Sequence, residues 1–97
     1  MSVVLINPFE IPEGTSDDDF VAGWERAADY LREQPGFLKT QLHRALTPES
    51  RFRFINIAEW ESPRAFQAAV GSQEFRALAE RGPAPGSPAL YEVVRSL

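Results

Sequence analysis

The sequence predicts an α+β domain, a four-stranded antiparallel sheet with its helices on one face, on three observations. Residues 51–62, RFRFINIAEWES, alternate with the period of two that a strand requires. Two stretches open on helix-capping signals, GTSDDDF at 14–20 and ESPRAF at 61–66, and each helical run stops at a glycine. Apolar runs that read as strands precede the first helix, separate the two helical regions and follow the second. The order is therefore strand, helix, strand, strand, helix pair, strand, which is the split βαβ arrangement of the ferredoxin-like fold.

Each element has a local reason. SVVLINPFEI is rich in Val, Leu and Ile and is closed by Pro12 and Gly14, and alternation puts Val3, Leu5, Asn7 and Phe9 on one face. Thr15 or Ser16 caps the next helix, with Asp17, Asp18 and Asp19 in its first turn at the positive end of the dipole. Its apolar stripe is Phe20, Trp24, Ala27, Ala28 and Leu31, and it runs to about Gln34, before Pro35 and Gly36. FLKTQLHRAL is a second strand and TPES a turn, so the long third strand pairs with the second as an antiparallel hairpin.

In that third strand Phe52, Phe54, Asn56, Ala58 and Trp60 share one face, while Arg53, Ile55, Ile57 and Glu59 share the other. Both faces are at least half apolar, which implies that both are covered. Ser62 as cap with Pro63 at the first helical position starts the second helical region, and Gly71 and Ser72 divide it into SPRAFQAAV and QEFRALAER. GPAPGSP at 82–88 is a loop stiffened by three prolines, a connector or a cover over a pocket, and ALYEVVRSL is the last strand. With helices on one face only, covering the other calls for a homodimer whose two sheets pack face to face.

Composition narrows the function. At 97 residues the chain is expected to be one domain, 1–97, with a small core that a partner chain would extend. The formal net charge of −4 argues against a nucleic-acid backbone as partner, since that needs clustered Lys and Arg. No cysteine and one histidine leave no thiolate site, disulfide framework or multi-histidine metal cage, so no metal is expected. MSVVLIN carries no basic segment and only a short apolar run, so neither a signal peptide nor a membrane span is expected, and the cytoplasm is the expected compartment. Glycine-rich phosphate loops, G-x-S-x-G and H-E-x-x-H are all absent from the sequence.

Asn56 and Trp60 are the residues on which chemistry could rest. Asn56 is either a strand amide satisfied by neighbouring backbone or a donor to a ligand oxygen, since an amide set beside Phe54 and Trp60 is costly to bury unpaired. Trp60 is either core or an indole N–H seeking a ligand acceptor. Asn7 on the first strand has the same two readings, and His43 is the one imidazole in the chain, although alternation can also put it on the dimer face.

INPFEIPEGTSDDDF, QPGFLKTQLHRAL, FRFINIAEWESPRAFQAAVGSQEF and PALYEVV together resemble the antibiotic biosynthesis monooxygenase family of the dimeric α+β barrel superfamily. The resemblance covers almost the whole chain, and its most recognisable part is AEWES followed by AFQAAVGSQEF. In the quinone-forming branch it implies oxidation of phenolic polycyclic aromatics by O2 with no cofactor, assisted by an asparagine and a tryptophan four residues apart, which Asn56 and Trp60 match. Phe66 stands where some of those members carry a tyrosine, and Glu80 falls near an arginine that they use. In the haem-degrading branch Asn7 matches, but Ala69 and Ala79 stand where a tryptophan and the iron-ligating histidine would be, and His43 lies on another element.

The resemblance thus implies a homodimeric, cofactor-independent monooxygenase taking a small aromatic molecule into a pocket between sheet and helices. Asn56 and Trp60 would be catalytic, and Asn7, Phe9, His43, Phe54 and Phe66 would bind substrate, with deprotonation resting either on donor stabilisation of the anion or on His43 acting through water. The alternative from another class is a non-catalytic dimer that binds a small molecule in the same place.

Overall fold

The computed structural model describes residues 2–80 and 86–97. Seven elements follow in the expected order: β1 (Val3–Phe9), α1 (Asp17–Leu31), β2 (Phe37–Arg44), β3 (Phe54–Trp60), α2 (Pro63–Val70), α3 (Gln73–Glu80) and β4 (Ala89–Tyr91). The sheet is antiparallel with strand order β2-β3-β1-β4, so β3 and β1 are central and the ferredoxin-like prediction holds.

The capping signals act as read. Ser16 Oγ accepts from the Asp19 amide at 3.0 Å at the start of α1, and Ser62 Oγ accepts from the Ala65 amide at 3.1 Å ahead of Pro63 in α2. Ser72 does more than break the second helix. Its hydroxyl donates to the Ala69 carbonyl and accepts from the Phe75 amide, ending α2 and starting α3 with one side chain. Gly36, at φ +88°, turns the chain out of α1 into β2, and a Cβ there would run into the Ala65 methyl of α2.

An ion pair ties α1 to the sheet. Arg53 Nη2 lies 2.8 Å from Asp17 Oδ2, and this hydrogen bond holds the Asp17 carboxyl below its usual pKa. A carboxylate whose folded pKa is depressed stabilises the fold above its unfolded pKa, and that contribution disappears as pH falls through the folded value. Asp17→Asn is therefore expected to melt below the wild type at about pH 6 and by a smaller margin at about pH 2. Equal Tm differences at both pH values would show that the pair contributes nothing.

The third strand starts later than expected, at Phe54, which leaves Phe52 beside His43 and Ile55 and Arg53 against α1, each opposite the face expected of it. Two further expectations change. β4 is paired only over Ala89–Tyr91, although 89–97 reads as one strand, because its register runs down β1 from Ile6 to Val4 and β1 begins at Val3. Beyond Tyr91 the chain leaves the sheet, with Val93, Val94 and Leu97 at 68%, 90% and 108% of full exposure. The second change is in β2, where the register slips by one residue between Phe37 and Lys39. Phe37 pairs with Trp60 and Lys39 with Glu59, so Leu38 is an extra residue and every later side chain of β2 points to the face opposite the one counted from Phe37.

Candidate functional site

The helix-covered face of the sheet carries a polar group between two aromatic clusters. At one end Phe20 of α1 meets Phe54 of β3 in a stacked pair at 4.7 Å and Phe9 of β1 edge-on at 4.9 Å. At the other, Trp60 packs edge-on against Phe37 at 5.4 Å and against Phe66 of α2 at 5.7 Å. Between them Asn7 and Asn56 face each other across β1 and β3. Alternation thus brings together Asn7, Phe9, Phe54, Asn56 and Trp60, as expected, and α2 supplies Phe66.

Asn56 is the buried polar residue among those described, at 8% exposure. Its Oδ1 accepts a hydrogen bond from the Thr40 hydroxyl of β2 at 2.6 Å, and among the described residues its amide nitrogen meets no acceptor. Two other polar atoms of this face, Asn7 Oδ1 and Trp60 Nε1, are fully buried without a hydrogen-bond partner among the described residues. Leaving such an atom unpaired costs about 1–3 kcal/mol. One accepts and the other donates, so a ligand with both kinds of oxygen function would satisfy them. Asn7 is also covered closely: Gly86 lies over its amide, where a Cβ would collide with Oδ1, and the Ser87 amide donates to the Pro8 carbonyl.

The expected cavity walls do not enclose an open pocket. Phe54 and Trp60 are 2% and 1% exposed and are packed into the core. A cleft of about 370 Å³ opens on this side between α1 and β2, lined by Trp24, Ala28, Phe37 and Thr40 and by charged side chains including Arg32 and Lys39. Thr40 connects that cleft with Asn56.

His43 is not part of the arrangement. Opposite Ile55 and exposed, it lies on the uncovered face, where it borders a separate cleft of about 450 Å³ with Phe52 and Arg51. The bulge at Leu38 is the reason, since counting by twos from Phe37 would put His43 beside Phe37. The same inversion turned Thr40 inward, a residue that the sequence did not single out; its only signal there is a β-branched hydroxyl beside an amide-bearing strand. On the uncovered face His43 is on the other side of the sheet from Asn56 and does not serve it as a water-linked base. Loop 82–88, expected as a connector or a cover, lies outside the described residues over 82–85.

No helix among the described residues is long and apolar enough to cross a membrane, and no group of three or more His, Asp or Glu among them gathers as a metal site. The described residues thus form a ferredoxin-like sheet with a buried amide between aromatic clusters and a cleft between α1 and β2. The chain belongs to the antibiotic biosynthesis monooxygenase family, whose model matches residues 2–81.

Relatives separate within it. A protein of Shewanella loihica PV-4 described as a candidate monooxygenase superimposes with a TM-score of 0.84 at 37% identity, over 98% of this chain and 96% of that one. SnoaB of Streptomyces nogalater, a cofactor-independent oxygenase, does so with a TM-score of 0.83 at 24% identity over 99% and 96%, a likeness of fold. The mycobilin-producing haem oxygenase of Mycobacterium tuberculosis is 38% identical over 68 residues, 70% of this chain. The match spans 62% of that relative's length. The M. tuberculosis haem degrader MhuD, with two haems in its active site, superimposes with a TM-score of 0.71 at 31% identity over 98% of both chains.

Proposed function

We propose that the protein is a cofactor-independent monooxygenase that oxidises a phenolic or polycyclic aromatic substrate with O2 to a quinone, acting as a homodimer. The observation that carries this reading is the set of buried polar atoms in an aromatic face: the Asn56 amide held by Thr40, with Asn7 Oδ1 and Trp60 Nε1 lacking a partner among the described residues. A flat aromatic body entering from the α1–β2 cleft would lie among aromatic side chains, with Asn56 and the Trp60 indole as donors to its oxygen. Reaching Trp60 requires Phe37 or Phe66 to move aside, since both pack on it.

Donors of this kind favour the deprotonated, electron-rich substrate, which passes one electron to triplet O2 and eases the spin restriction. Recombination forms a carbon–oxygen bond. Loss of water then leaves one oxygen atom as the quinone carbonyl, and the other departs with two substrate hydrogens. The substrate supplies all the electrons, and the protein excludes water and stabilises the oxyanion. No histidine faces this site, so deprotonation rests on donor stabilisation of the anion.

Haem breakdown is the second reading, favoured by the M. tuberculosis relatives and by Asn7. The residues fit it poorly: the one histidine is on the uncovered face, and Ala69, 4% exposed in the core, fills the place that the resemblance gives to a tryptophan. Support for the dimer comes from that uncovered face, where Val4, Ile6, Pro8, Ile55 and Ile57 form a continuous apolar strip across β1 and β3.

The test is oxygen uptake by metal-free protein against hydroquinones, anthrones and naphthols, with Asn56→Ala/Trp60→Phe as control. Uptake lost in the double variant is the expected result. Saturable binding without uptake would replace the oxygenase with a binding protein, and haem turnover with reductant would replace it with the second reading.

A further inference from the structure

Thr40 stands one residue past the end of the bulge, half-buried on the helix-covered side of β2. Its hydroxyl proton goes to Asn56 Oδ1, diagonally across from β2 to β3. A primary amide carries an acceptor at one end and two donors at the other, and half a turn about its last bond exchanges them. An unrestrained Asn56 could therefore meet a ligand with either end. The bond from Thr40 weighs on that choice: a turned amide could still donate an N–H to the hydroxyl oxygen, but the Thr40 proton would then lose its acceptor, and no other stands in its place among the described residues. Asn7, its cross-strand neighbour, has no such restraint: its oxygen is buried with no partner among the described residues.

We propose that Thr40 is a positioning residue, whose hydrogen bond to Asn56 Oδ1 fixes the amide with its NH2 group toward the ligand and so makes the site select an accepting oxygen. This rests on the reading of Asn56 as a ligand donor, and it adds the residue that sets the direction of donation. The bulge at Leu38 belongs to the device, since without it residue 40 would face the other side of the sheet. Bulges recur where a strand must re-aim a side chain. Thr40 also lines the α1–β2 cleft, so the oriented amide stands behind the wall that an entering molecule meets.

The probes are 1-tetralone, a bicyclic ketone that accepts and does not donate, and tetralin, the matching hydrocarbon. Wild-type protein is expected to bind the ketone several-fold tighter, up to about tenfold, the worth of one net hydrogen bond. Thr40→Val keeps the volume and removes the hydroxyl, and is expected to bring the two affinities within about twofold. Thr40→Ser restores the hydroxyl and should restore the preference. In ligand-free labelled protein, the Asn56 side-chain NH2 resonances should shift or broaden in Thr40→Val and return in Thr40→Ser.

A preference unchanged in Thr40→Val, or lost equally in Thr40→Ser, would overturn the positioning role and leave Thr40 as packing. Failure of the wild type to bind the ketone would overturn it as well. Should the preference depend on Thr40 while no phenol in the oxygen-uptake panel is consumed, the positioning role stands and the oxygenase reading alone falls.

Discussion

Asn56→Ala is expected to slow oxygen uptake by about a hundredfold or more, the usual cost of removing one donor from an oxyanion site. The fold should survive. The substitution leaves the Thr40 hydroxyl without its acceptor, which costs about 1–3 kcal/mol, and deletes a small side chain near one aromatic cluster. Asn56→Asp is the sharper companion, because it keeps an acceptor for Thr40 while exchanging the NH2 group for a second oxygen and a negative charge. An oxygenase that needs a donor there loses activity in both variants, whereas one that needs only Thr40 tied down keeps it in Asn56→Asp. Trp60→Phe separates less cleanly, since Trp60 is 1% exposed between Phe37 and Phe66 and its truncation also opens a void. Uptake by Asn56→Ala at the wild-type rate, measured on a substrate that the wild type consumes, would remove Asn56 from the chemistry.

The parts of this fold that were legible are those written in local chemistry. Ser16 before three aspartates and Ser62 before Pro63 specify helix starts through hydrogen bonds made within four residues, and the alternation of Phe54, Asn56, Ala58 and Trp60 specifies which face of β3 is covered. The parts that were not legible depend on pairing between distant segments. Nothing in FLKTQL marks Leu38 as an extra residue, because a bulge arises from how β2 must meet β3 and not from an unusual residue. That one residue decided two site assignments in opposite senses, taking His43 out and bringing Thr40 in. The length of β4 was illegible for a similar reason: YEVVRSL has strand composition throughout, but β1 offers it a partner only as far as Val4. Local pattern can propose a strand, and only a neighbouring strand can complete it.

Ile57→Lys is expected to convert a dimer into a folded monomer. Ile57 pairs across the sheet with Ile6 on the face that carries no helix, and in the single chain it is already 37% exposed. A lysine there costs the isolated protomer little, because its ammonium group reaches water. Against a second sheet the same group loses water on both sides of a twofold interface, at several kcal/mol for each uncompensated charge. Every 1.4 kcal/mol is about tenfold in affinity, so even a tight dimer should dissociate at micromolar protein. Light scattering should read twice the chain mass for the wild type and the chain mass for the variant, with unchanged circular dichroism. Removing residues 92–97, which carry Val93, Val94 and Leu97 into solvent, should weaken the dimer if these side chains close over the partner's sheet, and leave it unaltered if the strip around Ile6 and Ile57 suffices. A wild type at the chain mass would refute the dimer outright, and a variant that stays paired would move the contact to another surface. Because Ile57 lies on the side of the sheet opposite Asn56, oxygen uptake by the monomeric variant then shows whether the site is complete within one chain.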